Sequence, residues 1–216
     1  MFSREILNLY FVAGTQDCRH LSGSPEQNLL SVLETALQNG ISCYQLREKG
    51  QHALQDEARI RRLAGACREL CHRYAVPFVL NNDVHAALAW GADGVHIGQQ
   101  DMPLQEAAAL CRGKIFLGIS NNSFANAQSS FHAACADYLA VGPIFPTQSK
   151  PDAKAPVGVA LVEQVRAAGI NAPVVAIGGI KADTASLLRR AGADGIAVIS
   201  AIAAADDVAL AVRQLL

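Results

Sequence analysis

Apolar and polar positions along this chain repeat one unit eight times. Each unit is a short run rich in Val, Ile, Leu and Phe, then a polar loop, then an alanine-rich amphipathic stretch. The runs predict strands at Leu7–Ala13, Ser42–Leu46, Pro77–Asn81, Gly94–Ile97, Lys114–Ile119, Asp137–Val141, Pro173–Ile177 and Gly195–Ile199. The amphipathic stretches predict helices at Pro25–Asn39, Ala53–Tyr74, Val84–Trp90, Leu104–Cys111, Ser123–Ala134, Val159–Ala168, Asp183–Ala191 and Ile202–Leu215. Strands without polar alternation are buried on both faces, as in a parallel sheet covered by helices.

A parallel sheet needs a crossover between successive strands, and a helix stands in every gap. Eight such units close a barrel, or else form an open doubly wound sheet. Gly91-Ala92-Asp93-Gly94-Val95 returns four units later as Gly192-Ala193-Asp194-Gly195-Ile196, each turning a helix into the next strand. The nucleotide signatures of open sheets, GxGxxG after the first strand or GxxxxGK[ST], do not occur. Both observations favour a single (β/α)8 TIM barrel spanning residues 1–216.

Composition narrows the function classes. At 216 residues with 51% apolar and 17% charged positions, one domain with a large core is expected. The formal net charge is −1 and no Lys/Arg run stands out, so neither nucleic acid nor an anionic membrane surface is indicated. The apolar run near the N-terminus is too short to span a bilayer and has no signal-peptide cleavage pattern. Six scattered cysteines without a CxxC pair read as buried thiols of a reducing, cytoplasmic protein. Apolar helix faces are compatible with a homodimer, though no interface is marked.

In a barrel of this kind the chemistry sits at the C-terminal strand ends. Strand two ends in Gln45-Leu46-Arg47-Glu48-Lys49, and alternation sends Gln45, Arg47 and Lys49 to one side, a grouping suited to phosphate. Strand three ends in Asn81-Asn82-Asp83, and Gly98-Gln99-Gln100-Asp101 follows strand four. These acids and amides could share a Mg²⁺ with substrate phosphates or could simply cap helices. Ser120-Asn121-Asn122 after strand five also reads as a cap. Gly178-Gly179 and Ile199-Ser200 lie in the last two βα loops, where this fold commonly builds a phosphate site. The polar stretch from Pro146 to Pro156 reads as an active-site flap or as a solvated loop. His96 in strand four reads as a hydrogen-bonded core residue.

Together these strand ends resemble the thiamine phosphate synthase family. The resemblance rests on Gln45-Leu46-Arg47-Glu48-Lys49, on the stretch from Gly91 to Asp101, on Gly118-Ile119-Ser120, on Gly142-Pro143-Ile144-Phe145-Pro146-Thr147-Gln148-Ser149-Lys150, and on Ala176-Ile177-Gly178-Gly179-Ile180. It implies condensation of 4-amino-2-methyl-5-hydroxymethylpyrimidine diphosphate with 4-methyl-5-(2-phosphoethyl)thiazole. Thiamine phosphate and diphosphate would form through a dissociative, carbocation-like step. It also implies that the Gln45–Lys49 segment, Asn81, Ser120 and Lys150 serve the pyrimidine diphosphate, with Arg47, Ser120 and Lys150 nearest the reacting atoms. Thr147, Ser149, Gly179, Ile199 and Ser200 would serve the thiazole phosphate, Gln148 would also bind substrate, and Asp101 would bind Mg²⁺. The family usually reads Asn-Asp after strand three, whereas Asn82 stands at the acid's place. Either Asn82 serves as it is or Asp83 takes over, directly or through water; takeover by Asp83 is the expectation. Alternatives to the synthase are a thiazole tautomerase of the same superfamily, against which the cations argue, and a non-catalytic sensor of thiamine precursors.

Overall fold

A computed structural model describes residues 2–149 and 154–216. Eight parallel strands close into a barrel in sequential order. They are β1 (Leu9–Ala13), β2 (Cys43–Leu46), β3 (Phe78–Asn81), β4 (Gly94–Ile97), β5 (Phe116–Asn121), β6 (Tyr138–Val141), β7 (Val174–Ile177) and β8 (Gly195–Val198), with β8 pairing back onto β1. Around them run α1 (Pro25–Gln38), α2 (Glu57–Arg73), α3 (Val84–Ala89), α4 (Leu104–Cys111), α5 (Phe124–Ala133), α6 (Ala160–Ala167), α7 (Ala182–Arg190), α8 (Ser200–Ala203) and α9 (Val208–Leu215).

Side chains alternate between two apolar layers, which is why the strands read as unbroken hydrophobic runs. On β1, Leu9, Phe11 and Ala13 pack outward among the helices, while Tyr10 and Val12 join Cys43, Val79, Phe116, Tyr138, Ala140, Val175 and Ala197 inside the barrel. Phe2 stacks on Tyr138 at a centroid distance of 5.9 Å and closes this inner core.

One device recurs at the N-terminal rim. The residue ahead of each even-numbered strand accepts a side-chain hydrogen bond from the first or nearly first backbone N–H of the preceding strand. Ser42 accepts from Leu9 N at 2.8 Å, Asp93 from Phe78 N at 2.8 Å, Asp137 from Leu117 N at 2.7 Å and Asp194 from Val174 N at 2.7 Å. The repeated Gly-Ala-Asp-Gly motif is thus two copies of a four-fold clamp. It stands at the face of the barrel that serves stability.

Most boundaries shift by a residue or two from the sequence reading, and three differences have a visible cause. Residues Arg4–Leu7 form a 3-10 turn, so the first strand starts at Leu9. The second helix starts at Glu57, because Gly50 and His52 adopt positive φ and Asp56 caps the helix by accepting from Arg59 N. The last helix is two helices, since Asp207 caps a new start by accepting from Leu210 N.

Candidate active site

The C-terminal strand ends open into a cavity of about 400 Å³. On β2, Leu46 packs outward in the helix-facing core, while Gln45, Arg47 and Lys49 all line the cavity. Arg47 is 4% exposed. Its backbone is held from both directions, its N–H donating to Ala13 O at 3.0 Å and its carbonyl accepting from Gln16 Nε2 at 2.8 Å. A guanidinium anchored at a barrel mouth offers a planar fork to an oxyanion.

Glu48 turns away from the cavity. Its Oε1 accepts from Thr15 N, and its Oε2 accepts from Thr15 Oγ1 at 2.8 Å and from Leu54 N at 2.8 Å. Glu48 therefore ties the loop after β2 to the loop after β1. The sequence reading placed Leu46 and Glu48 against substrate, whereas pleat and hydrogen bonding turn both side chains away from the cavity.

Past β3, Asn81 and Asn82 line the cavity together with Asp101. Asn82 has φ +68, a left-handed conformation that asparagine tolerates better than most residues, and its N–H donates to His96 O at 2.8 Å. Asp83 is exposed and does not line the cavity; its Oδ1 caps α3 by accepting from Ala86 N at 2.8 Å. Asn82 thus lines the same cavity as Asp101, while Asp83 takes the capping task. Asp101 Oδ2 accepts from Gly98 N at 2.6 Å, which orients its carboxylate. Among the described residues no cluster of three or more His, Cys, Asp or Glu side chains gathers that could hold a metal. One carboxylate with an amide oxygen remains a hard-oxygen pair, the donor type Mg²⁺ takes alongside substrate phosphates.

Ser120 belongs to β5 itself, and Ser123 is the residue that caps α5. Ser120 lines the cavity, as do Thr147 and Ser149 from the loop after β6. That loop is pinned at its base, with Ile144 N donating to Ile177 O at 2.9 Å and Phe145 N to Gly178 O at 3.0 Å. Its return leg is pinned by Val157 N donating to Pro143 O at 2.8 Å. Gln148 is exposed and stands outside the lining, and Lys150 lies outside the described residues.

Gly178 and Gly179 have φ +104 and +66. A Cβ at Gly179 would lie 2.5 Å from Pro146 O and 2.8 Å from Phe145 Cβ, so only glycine lets this turn pass under the loop after β6. Gly179, Ile199 and Ser200 line the cavity. Because β8 pairs with β1 and β1 with β2, the Ile199 and Ser200 side of this rim lies two strands from that of Arg47.

Three contributors to the lining were not read as site residues from sequence. Lys154, across the flap, adds a cation to the lining. Tyr10 and His96 form its floor, with Tyr138 hydrogen-bonded beneath them. The signal available was a polar residue at an inward position of an apolar strand, which Gln45 shared. Burial pushes the phenols of Tyr10 and Tyr138 well above the usual tyrosine range. A wider, shallower groove between α1 and α2 lies on the helical exterior, away from these groups.

A closed parallel barrel with its cations, amides and hydroxyls gathered at the C-terminal strand ends defines a class, the (β/α)8-barrel enzymes. Within that class, the chain belongs to the thiamine monophosphate synthase family, whose model matches residues 9–202. It is 54% identical over 210 residues to a thiamine-phosphate synthase of Pasteurella multocida, covering 97% of this chain and 95% of that one. It is 49% identical over 216 residues to one of Helicobacter pylori, covering 100% and 99%. The fold matches a thiamine phosphate pyrophosphorylase from Pyrococcus furiosus with a TM-score of 0.82 at 31% identity, over 98% of this chain and 95% of that one. A 3-hexulose-6-phosphate synthase, at 17% identity and a TM-score of 0.69, shares the barrel alone.

Proposed function

We propose that this chain is a transferase, a thiamine-phosphate synthase, that joins an aminopyrimidine methyl diphosphate to a thiazole phosphate. The supporting observation is one cavity that combines Gln45, Arg47 and Lys49 beyond β2 with the Gly179 and Ser200 rim beyond β7 and β8. Two anion-binding rims in one enclosure suit two phosphorylated substrates held for reaction. The relatives are synthases, and they lend no support to the tautomerase or sensor readings.

In this reading the C–O bond between the pyrimidine methylene and the diphosphate breaks first. The carbocation-like methylene is then trapped by the thiazole nitrogen, giving thiamine phosphate and free diphosphate. No general base is required; positioning and electrostatics carry the rate. Arg47 and Lys49 hold the diphosphate and favour its departure, with Lys150 assigned the same task by resemblance. Gln45 and Asn81 orient the pyrimidine, and Ser120 meets the pyrimidine diphosphate. Thr147, Ser149, Gly179, Ile199 and Ser200 receive the thiazole phosphate. Asp101 and Asn82 would hold Mg²⁺, which when bound neutralises charge on the diphosphate. The six free cysteines suit a reducing, cytoplasmic setting.

The test is to incubate purified protein with both substrates, with and without Mg²⁺, and follow products by mass. Equal amounts of thiamine phosphate and diphosphate, formed only with the metal, are expected. Binding of thiazole phosphate without any coupling would overturn the reading.

A further inference from the structure

Six polar side chains cross the barrel interior in one unbroken line. Asn81 Nδ2 donates to Gln45 Oε1 at 2.9 Å, and Gln45 Nε2 donates to Tyr10 Oη at 2.7 Å. The Tyr10 and Tyr138 hydroxyls are 3.1 Å apart. Tyr138 Oη lies 2.9 Å from His96 Nδ1, and His96 Nε2 lies 2.8 Å from Ser120 Oγ. The line joins β3, β2, β1, β6, β4 and β5, and it ends at the cavity. Gly118 makes room for it, since a Cβ there would fall on the Tyr138 ring.

Each phenol has one hydrogen to give and an oxygen that can accept, so the first link sets the direction the line takes when every buried hydrogen in it is used. Tyr10 receives from Gln45, so its own hydrogen goes to Tyr138. Tyr138 then has its hydrogen left for His96 Nδ1, and that buried hydrogen finds its acceptor when Nδ1 presents a lone pair. The imidazole hydrogen therefore sits on Nε2 and points at Ser120 Oγ. Ser120, having accepted, turns its own hydrogen toward the cavity. Burial keeps both phenols protonated and the relay intact. Complete reversal of the line would need both amides turned over. It would leave Ser120 donating to His96 with its oxygen open to the cavity, an arrangement for a nucleophile or base that the dissociative reaction does not use.

We propose that this line locks His96 as the neutral Nε2–H tautomer and thereby makes Ser120 a hydrogen-bond donor to the aminopyrimidine diphosphate, with His96 and Tyr138 as positioning residues. The proposal rests on the synthase reading for its substrate, but the tautomer is a property of the chain itself.

Two measurements test it. In the full chain labelled with ¹⁵N-histidine, His96 is assigned by its absence in His96→Gln, or by the shift that Tyr138→Phe imposes on it. A protonated, pyrrole-type Nε2 and a pyridine-type Nδ1 at neutral pH are expected. A proton on Nδ1, or on both nitrogens, overturns the proposal. In turnover, Tyr138→Phe is expected to lower kcat roughly tenfold, about one hydrogen bond's worth, with both KM values within about twofold. His96→Gln, which keeps a donor near Nε2, should retain more activity than His96→Ala. In a Ser120→Ala background, Tyr138→Phe should have no further effect, and an additive loss would show that it does not act through Ser120. A chain that makes no thiamine phosphate fails the synthase reading, while the spectrum still decides the tautomer.

Discussion

Glu48→Ala separates a scaffold role from a substrate role at the most cationic strand end of the barrel. The carboxylate satisfies three donors, Thr15 N, Thr15 Oγ1 and Leu54 N. Thr15 is fully buried, so its N–H would be stranded without water, at about 1–3 kcal/mol. The hydroxyl can rotate and Leu54 is half-buried, so those two losses add about 1 kcal/mol together. A total near 3 kcal/mol corresponds, in a chain of this size, to a fall in Tm of roughly 6–12 °C. Glu48→Gln keeps one carbonyl oxygen and should lose about half as much. Thermal melts followed by circular dichroism, with steady-state kinetics on the same samples, read both quantities. Arg47 and Lys49 flank Glu48, so a secondary drop in turnover is expected at temperatures where the loop loosens. An unchanged Tm combined with a raised KM for the diphosphate substrate would refute the reasoning and return Glu48 to the substrate.

Other substitutions probe the cavity and the core. Arg47→Ala should raise KM for the diphosphate substrate and lower kcat, a combined loss of about 10²-fold or more in kcat/KM for a buried, charge-assisted contact; Arg47→Lys should recover part of it. Asp83→Ala should cost about 1 kcal/mol of stability through the lost cap while leaving the Mg²⁺ dependence of turnover unchanged, whereas Asn82→Asp should lower the Mg²⁺ concentration needed for half-maximal rate. Burial pushes the Cys18 and Cys67 thiols up from 9.0 to about 12. Above about pH 9 the unfolded chain releases these protons and the folded chain keeps them, so stability should be level up to about pH 9 and fall as the pH climbs toward about 12. Thermal melts across that range check it, and a Tm that rises with alkaline pH would contradict the burial argument.

The barrel was legible because its cause is local. Eight apolar runs separated by amphipathic stretches leave little choice but a helix-covered parallel sheet. The strand-end positions of Gln45, Arg47, Lys49, Asn81, Asp101 and Ser120 followed from alternation and the polarity of this fold, and all six line the cavity. What escaped depended on partners distant in sequence. Glu48 reads like a fellow ligand of Arg47 until Thr15, in a different loop, is seen to claim it. Asp83 and Asn82 are neighbours in sequence, yet one turn of backbone at φ +68 sends them to different tasks. His96 was rightly placed inside the barrel. Its partners, Ser120 on one ring nitrogen and Tyr138 on the other, lie 24 and 42 positions away, and no spacing rule associates them with it.

The most direct test of the account is a crystal structure of the protein with Mg²⁺, diphosphate and thiamine phosphate. Diphosphate is expected against Arg47 and Lys49, the metal at Asp101 and Asn82, and the phosphate of thiamine phosphate at Gly179 and Ser200. Diphosphate bound away from Arg47, or a product phosphate outside the Gly179–Ser200 rim, would contradict it.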